Sequence, residues 1–370
     1  MKYYIIAGEA SGDLHGSNLM KALYEEDPNA DIRFWGGDLM QNVGGTLVKH
    51  YRELAFMGFV EVLFNLKTIL NNIKICKNDI VQFNPDVIIY IDYPGFNMRI
   101  AKWAKQTGYK NHYYISPQIW AWKENRITAI KHDIDKMYVI LPFEKDFYEV
   151  KHQFPVSFVG HPLIDAIHNQ SSIDINAFRT ENQLSEKPII AILPGSRKQE
   201  ISKMLSVMLS VVKDFPDYQF VIAGAPSQEF SFYKQFISSD NIKFISNKTY
   251  SLLRNSTAAL VTSGTATLET ALFKVPEVVC YKGSWISYQI AKRIITLKYI
   301  SLVNLIMDRE VVTELIQDDC STKRIKEELT KILEPNYRKT LLANYDLLEE
   351  KLGGIGASKK TAQLIVAAIK

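Results

Sequence analysis

Short β-rich apolar runs recur along the chain, and stretches with apolar residues every three or four positions lie between them. In the first half the runs are 3–7, 32–35, 87–91, 113–115, 137–140 and 156–159, with helical patterns at 12–25, 60–81, 97–106 and 118–131. Continuous apolar strands alternating with helices predict a parallel sheet covered on both faces. Residues 169–187, rich in Asn, Ser, Asp and Gln, break the pattern and read as the entry to a second unit. There the alternation resumes, with strands expected at 189–193, 220–223, 242–245, 258–262 and 278–281. Helices are expected at 198–213, 229–238, 265–273, 285–295 and 322–333. The tail, 336–370, reads as two helices broken at Gly353-Gly354. The expectation is an α/β protein of two doubly wound, Rossmann-like domains, 1–165 and 166–345. Ligands of such sheets bind at the carboxyl ends of the strands, so the cleft between the domains is the expected active site.

A chain of 370 residues is consistent with two domains, and 47% hydrophobic with 23% charged residues excludes disorder over most of its length. Lys+Arg 44 against Asp+Glu 40 leaves a net charge of +4. That excess is too small for a nucleic-acid binder, yet it permits a local basic patch for anionic ligands or lipids. Cys76, Cys280 and Cys320 lie far apart with no CxxC pair, which fits a reducing cytosol. The opening apolar run is too short for a signal peptide, and no run approaches a membrane span. The protein is expected not to cross a membrane, though it can lie on one.

Four motifs at strand ends carry candidate chemistry. Gly8-Glu9-Ala10-Ser11-Gly12-Asp13-Leu14-His15-Gly16 follows the first strand. It is not GxGxxG, and its acids oppose a pyrophosphate. It suits a polar pocket for a hydroxylated acceptor, or else a tight strand–helix turn. Asp92, in Ile91-Asp92-Tyr93-Pro94-Gly95-Phe96-Asn97, stands where a parallel strand delivers a side chain to a crevice. It can accept a proton from an attacking hydroxyl, or merely cap a helix. Leu193-Pro194-Gly195-Ser196-Arg197 puts small residues and a forked cation at a helix start, an anion site. Ser263-Gly264-Thr265, followed by Glu269 one turn into a helix, suits a diphosphate and ribose hydroxyls. Two anion-type turns on different strands of one half suggest a nucleotide.

Other features are weaker. Asp133-Ile134-Asp135 is formally a DxD but reads as surface, and the histidines lack HxxxH or HExxH spacing, so no metal is expected. His161 reads equally as a turn contact and as a catalyst, and Trp120 and Trp122 read as core. From residue 59 to 77, Phe59, Leu63, Leu66, Leu70 and Ile73 form an apolar stripe widened by Phe64 and Ile69, with Lys67, Lys74 and Lys77 beside it. This is either a covering helix or a lipid-facing one.

Taken together, AGEASGD (7–13), MGFVEVL (57–63), IDYPGFN (91–97), YISPQIWAW (114–122), LPFEKDFY (141–148), FVGHPL (158–163), LPGSR (193–197), SGTATLE (263–269) and SLVNLI (301–306) resemble the lipid-A-disaccharide synthase family. They occur in the family's order over nearly the whole chain. Gly95 replaces an acid frequent in the family, and Val303 replaces a proline. The resemblance implies an inverting glycosyltransferase of the GT-B fold without metal or other cofactor. UDP-2,3-diacylglucosamine would donate to the 6-hydroxyl of 2,3-diacylglucosamine 1-phosphate, giving the β-1′,6-linked lipid A disaccharide 1-phosphate and UDP. It implies Asp92 as general base, and Arg197, Glu269 and Asn304 at the UDP site; the strand-end motifs themselves add His15 and Asp13 as the next candidates for the base, and Gly195, Ser196, Ser263, Gly264 and Thr265 around UDP. Glu9, Ser11, Gly12, Met57 and Glu61 would line the acceptor side. Phe59, Leu63, Phe64, Leu66, Lys67, Leu70 and Lys74 would meet the membrane. It further implies a peripheral position on the cytoplasmic face of a Gram-negative inner membrane. The C-terminal helices, 346–370, would cross back to the first domain or to a partner in a homodimer.

Overall fold

The computed structural model describes residues 1–54, 66–169, 174–225, 228–283 and 298–370. The chain divides into two compact units, Met1–Asn169 with Leu352–Lys370, and Gln170–Lys351. Both boundaries fall a few residues beyond the expected 165 and 345.

In the first unit β1 (Lys2–Ala7), β2 (Asp31–Gly36), β3 (Thr46–His50), β4 (Val87–Ile91), β5 (Asn111–Tyr114), β6 (Lys136–Val139) and β7 (Ser157–Phe158) form one parallel sheet, ordered β3-β2-β1-β4-β5-β6-β7. Tyr3 to Ala7 and the whole of β4 have no solvent exposure, which is why these central strands read as unbroken apolar runs. Each such side chain contributes roughly 1.5–3 kcal/mol by leaving water. The strand order reverses between β1 and β4, so the crevice of this sheet opens at the ends of those two strands.

The second unit repeats the plan with β8 (Ile189–Leu193), β9 (Gln219–Gly224), β10 (Ile242–Ser246), β11 (Ser256–Thr262), β12 (Glu277–Tyr281) and β13 (Glu314–Ile316), ordered β10-β9-β8-β11-β12-β13. All its pairings are parallel, and its reversal lies between β8 and β11.

Several elements differ from expectation. The edge strands β3 and β13 escape the apolar pattern, because their side chains are only partly buried. The helix expected over 118–131 is a turn, a 3₁₀ stretch at Glu124–Arg126 and a short helix, Ile127–Asp133. The helix expected at 229–238 shrinks to Phe230–Lys234. That over 60–81 is seen as Leu66–Phe83, and 55–65, like the helix expected at 285–295, lies outside the described residues.

Of the two tail helices, Pro335–Lys351 stays with the second unit: Lys274 Nζ pairs with Asp346 and Glu349, both at 2.7 Å. Only Ala357–Ile369 returns to the first unit, and it does so within its own chain. Asp165 accepts from the backbone N–H groups of Gly356 (2.6 Å) and Ser358 (2.8 Å), capping that helix. Ala362, Ile365 and Val366 bury its inner face.

Candidate active site

At the crevice of the first unit, β1 runs into Gly8-Glu9 and β4 into Asp92-Tyr93. Gly8 has no room for a side chain, because a Cβ there would stand 2.2 Å from the Tyr93 ring. Asp92 and Tyr93 both adopt left-handed backbone, φ 44° and 50°, uncommon for residues other than glycine. The Asp92 carbonyl is held by Asn97 Nδ2 (2.7 Å) and by the Tyr113 hydroxyl (2.6 Å), which fixes the turn and presents the carboxylate. Burial, then the neighbouring charge of Glu9, pushes the Asp92 carboxyl up from 3.8 to about 6. Burial raises Glu9 as well. Two carboxyls whose charges oppose each other thus sit at one strand-end crevice, a setting that favours proton transfer near neutral pH.

Around this pair the candidate residues separate. Ser11 is exposed, whereas Gly12 lets the helix Ala10–Glu26 pack on β1, its added Cβ meeting that of Ala7 at 3.1 Å. Asp13 is buried. Its carboxylate accepts from the N–H groups of Gly37 (2.8 Å), Leu39 (3.1 Å) and Met40 (3.0 Å), fastening the next helix. His15 points into the protein: its Nδ1 is inaccessible and unpartnered, and burial lowers its imidazole to about 4, against the opposing charge of Asp165. His161 is a turn contact, accepting from Leu163 N–H through Nδ1, and burial holds it at about 3. Neither histidine carries charge at neutral pH. Asp133 is buried, not on the surface, and accepts from His132. Asp135 accepts from Asn111 N–H and pairs with Lys105, so the DxD organises β5. Among the described residues no cluster of His, Cys, Asp or Glu is gathered for a metal ion.

On the helix Leu66–Phe83 the predicted stripe divides. Ile73 packs on the core, whereas Leu70 is 62% exposed beside exposed Lys67 and Lys74. Met57, Phe59, Glu61, Leu63 and Phe64 lie outside the described residues, as does the side chain of Leu66.

The crevice of the second unit is a cavity of about 450 Å³. The turn after β8 (Pro194–Arg197) and the turn after β11 (Ser263–Thr265) form two of its walls. Gly195 has φ 98°, a backbone conformation strained for any other residue, and a Cβ would fall 2.2 Å from Glu200 Oε2, so this position favours glycine. Arg197 is exposed on the rim, at the start of the helix Lys198–Met208. Ser263 Oγ donates to the Ile300 carbonyl (2.8 Å). Glu269 is held by the Tyr250 hydroxyl (3.0 Å), and burial raises its carboxyl. The cavity also takes in Glu200, Thr249 and the small run Ala223-Gly224-Ala225, which the sequence reading missed. Glu200 accepts from Ser196 N–H (3.2 Å), so an arriving phosphate competes with it for that amide. Asn304 is not in the cavity lining and is buried. Its Oδ1 accepts from Val311 (2.7 Å) and Val312 (3.0 Å), and its Nδ2 donates to the Val312 carbonyl (2.8 Å) and Glu314 (2.9 Å). With its amide fully engaged, it clasps the segment that leads into β13.

Two parallel sheets with switch-point crevices, one acidic and one rich in backbone amides, define an α/β enzyme of the GT-B class. The fold is similar to that of UDP-GlcNAc 2-epimerase from Neisseria meningitidis bound to UDP-GlcNAc (TM-score 0.74, 14% identity, 99% of this chain and 100% of that one). It is also similar to the glycotransferase of kitacinnamycin (TM-score 0.65, 13% identity, 99% and 98%). In sequence the chain is 37% identical over 369 residues to lipid-A-disaccharide synthase of Geobacter sulfurreducens, covering 98% of this chain and 96% of that one. It is 38% identical over 375 residues to the synthase of Idiomarina loihiensis (98% and 97%). The lipid-A-disaccharide synthetase family model matches residues 3–367, and the chain belongs to that family. It is a glycosyltransferase of lipid A biosynthesis, acting on a UDP-sugar and an acceptor sugar.

Proposed function

We propose that the chain transfers the acylated sugar of UDP-2,3-diacylglucosamine to the 6-hydroxyl of 2,3-diacylglucosamine 1-phosphate, forming the β-1′,6-linked disaccharide 1-phosphate and releasing UDP. The observation that carries the assignment of roles is Asp92, fixed at a strand end beside Glu9 with its carboxyl raised to about 6. In this reading the acceptor hydroxyl gives its proton to Asp92 as its oxygen attacks the anomeric carbon. The bond to the diphosphate breaks on the opposite face, so the configuration inverts. The electron pair leaves with UDP. Arg197 and the amides of the turns after β8 and β11 meet that charge, and Glu269 accepts from the ribose.

Both substrates carry acyl chains, so the enzyme works as a peripheral protein on the cytoplasmic leaflet of the inner membrane. Exposed Leu70 between Lys67 and Lys74 supports a lipid contact, and among the described residues no helix is long and apolar enough to cross a membrane. Mass spectrometry of the product from acylated UDP-glucosamine and its acylated sugar phosphate tests the reading. A disaccharide monophosphate is expected, and an isomerised UDP-sugar without disaccharide would replace it with epimerisation.

A further inference from the structure

The turn that follows β5 is built with unusual care for a connection that exposes an indole. It begins one strand away from Asp92, since Ile91 is paired with Tyr114 in the sheet. Ile115 takes φ 63°, costly for a β-branched residue. Buried Glu144 accepts from Ser116 Oγ (2.5 Å), Trp120 Nε1 (3.2 Å) and the N–H groups of Ile140 (3.1 Å) and Leu141 (2.9 Å). Trp120 meets Phe143 edge-on at 4.8 Å, and the Tyr148 hydroxyl donates to the Pro117 carbonyl.

This clamp holds Trp122 outward, 49% exposed. Lys123 Nζ lies 4.2 Å from the centroid of its ring, and Arg126 Cζ lies 6.0 Å from it. The turn's single acid, Glu124, is committed elsewhere, to Lys151 (2.7 Å) and His152 (2.9 Å). Among the described residues no carboxylate pairs with Lys123 or Arg126. An aromatic plate with two cations that no described carboxylate pairs thus stands on the turn leaving β5, the strand beside the one that ends at Asp92.

We propose that Trp122, Lys123 and Arg126 seat the phosphate monoester of the acceptor sugar, with the indole against the pyranose and the guanidinium forked onto the phosphate. The proposal rests on the reading that the first unit takes the acceptor. A dianionic phosphate matches the two cations, and a planar guanidinium grips it through paired hydrogen bonds. The acceptor carries its phosphate on C1 and its 6-hydroxyl on the arm of C5, the two carbons that flank the ring oxygen, so both groups lie on one side of the sugar ring. A seat beside the Asp92 crevice therefore holds the hydroxyl at the base.

The test is transfer kinetics of Arg126→Gln and Trp122→Ala with the acceptor sugar phosphate and with the same sugar lacking its phosphate. Arg126→Gln should lower kcat/KM for the phosphorylated acceptor by about 10- to 100-fold, with the KM for the UDP-sugar unchanged. It should leave the phosphate-free acceptor unaffected, and Arg126→Lys should recover part of the loss. An equal deficit with both acceptors overturns the seat. So does a deficit that disappears with short-chain acceptors while binding to phosphatidylglycerol vesicles is lost, which would make the patch a membrane contact. If the wild type forms no disaccharide at all, the functional reading fails, and titration with soluble glucosamine 1-phosphate then judges the seat separately. Wild type must prefer it to glucosamine, and Arg126→Gln must lose that preference; otherwise the seat is wrong.

Discussion

Replacing Asp92 by Asn should remove activity and add stability, and the second effect can be sized. In the folded protein the carboxyl is raised from 3.8 to about 6, first by burial and then by Glu9. Below pH 4 both folded and unfolded chains hold the proton, and the group costs nothing. Between pH 4 and 6 the unfolded chain ionises first, so stability falls as pH rises. Above pH 6 the full cost is present. Two units correspond to ~3 kcal/mol, and about half of that is reasonable for a side chain still partly open to solvent. Asp92→Asn should therefore be more stable than wild type by about 1–2 kcal/mol at pH 8 and no more stable at pH 4. Its kcat should fall about 10²–10⁴-fold. Wild-type kcat/KM should fall along an acid limb near pH 6, and Asp92→Asn should lack that limb. Thermal unfolding at the two pH values, paired with product mass spectrometry, reads both effects. Turnover close to wild type, or a stability change of the same size at both pH values, would refute the assignment of a strained, proton-accepting carboxylate.

Arg197→Ala should weaken UDP binding by about 1.5–3 kcal/mol, measured by calorimetry, and EDTA should not alter the wild-type value. Asn304→Ala should destabilise the second unit by about 3 kcal/mol or more, because it orphans buried backbone groups of Val311 and Val312. The folded fraction should still bind UDP normally, and a selective loss of UDP affinity would return Asn304 to the ligand site. Leu70→Ser with Lys67→Gln and Lys74→Gln should weaken binding to anionic vesicles by roughly 1 kcal/mol per lysine. The melting temperature should change little, since all three side chains are exposed.

What the sequence made legible was local. The strands β1, β4, β8 and β11 announce themselves as apolar runs, and the chemistry at their ends follows within a few residues: Glu9, Asp92, Ser196 and Ser263. Asp13 and Asn304 belong to equally suggestive motifs. Their contacts are made with amides that only the folded chain brings near, those of Gly37 and Met40 in one case and of Val311 and Val312 in the other. The turn holding Trp122 reads as a helix because its apolar spacing is permissive. The left-handed Lys123 that breaks it has no glycine to signal it, and only Pro117, just before the expected start, hints at a turn. Glu200 and Thr249 were missed for a related reason: nothing in a helix's first turn or after an edge strand marks a residue as facing a cavity formed by other strands.

The return of Ala357–Ile369 to the first unit has a consequence for biosynthesis. When a ribosome has finished Asn169, the first sheet has all of its strands, but Asp165 has no helix to cap and the apolar groove for Ile365 and Val366 stands open. Those residues are translated only after the whole of the second unit. The second unit, whose sequence is continuous, can reach its native fold while the first is still waiting, reversing the usual N-terminal-first order. A stop just after Lys351 would leave an intact second unit and an exposed hydrophobic seam on the first. Such a product is suited to recognition by chaperones and proteases and unsuited to accumulate as a half-active enzyme.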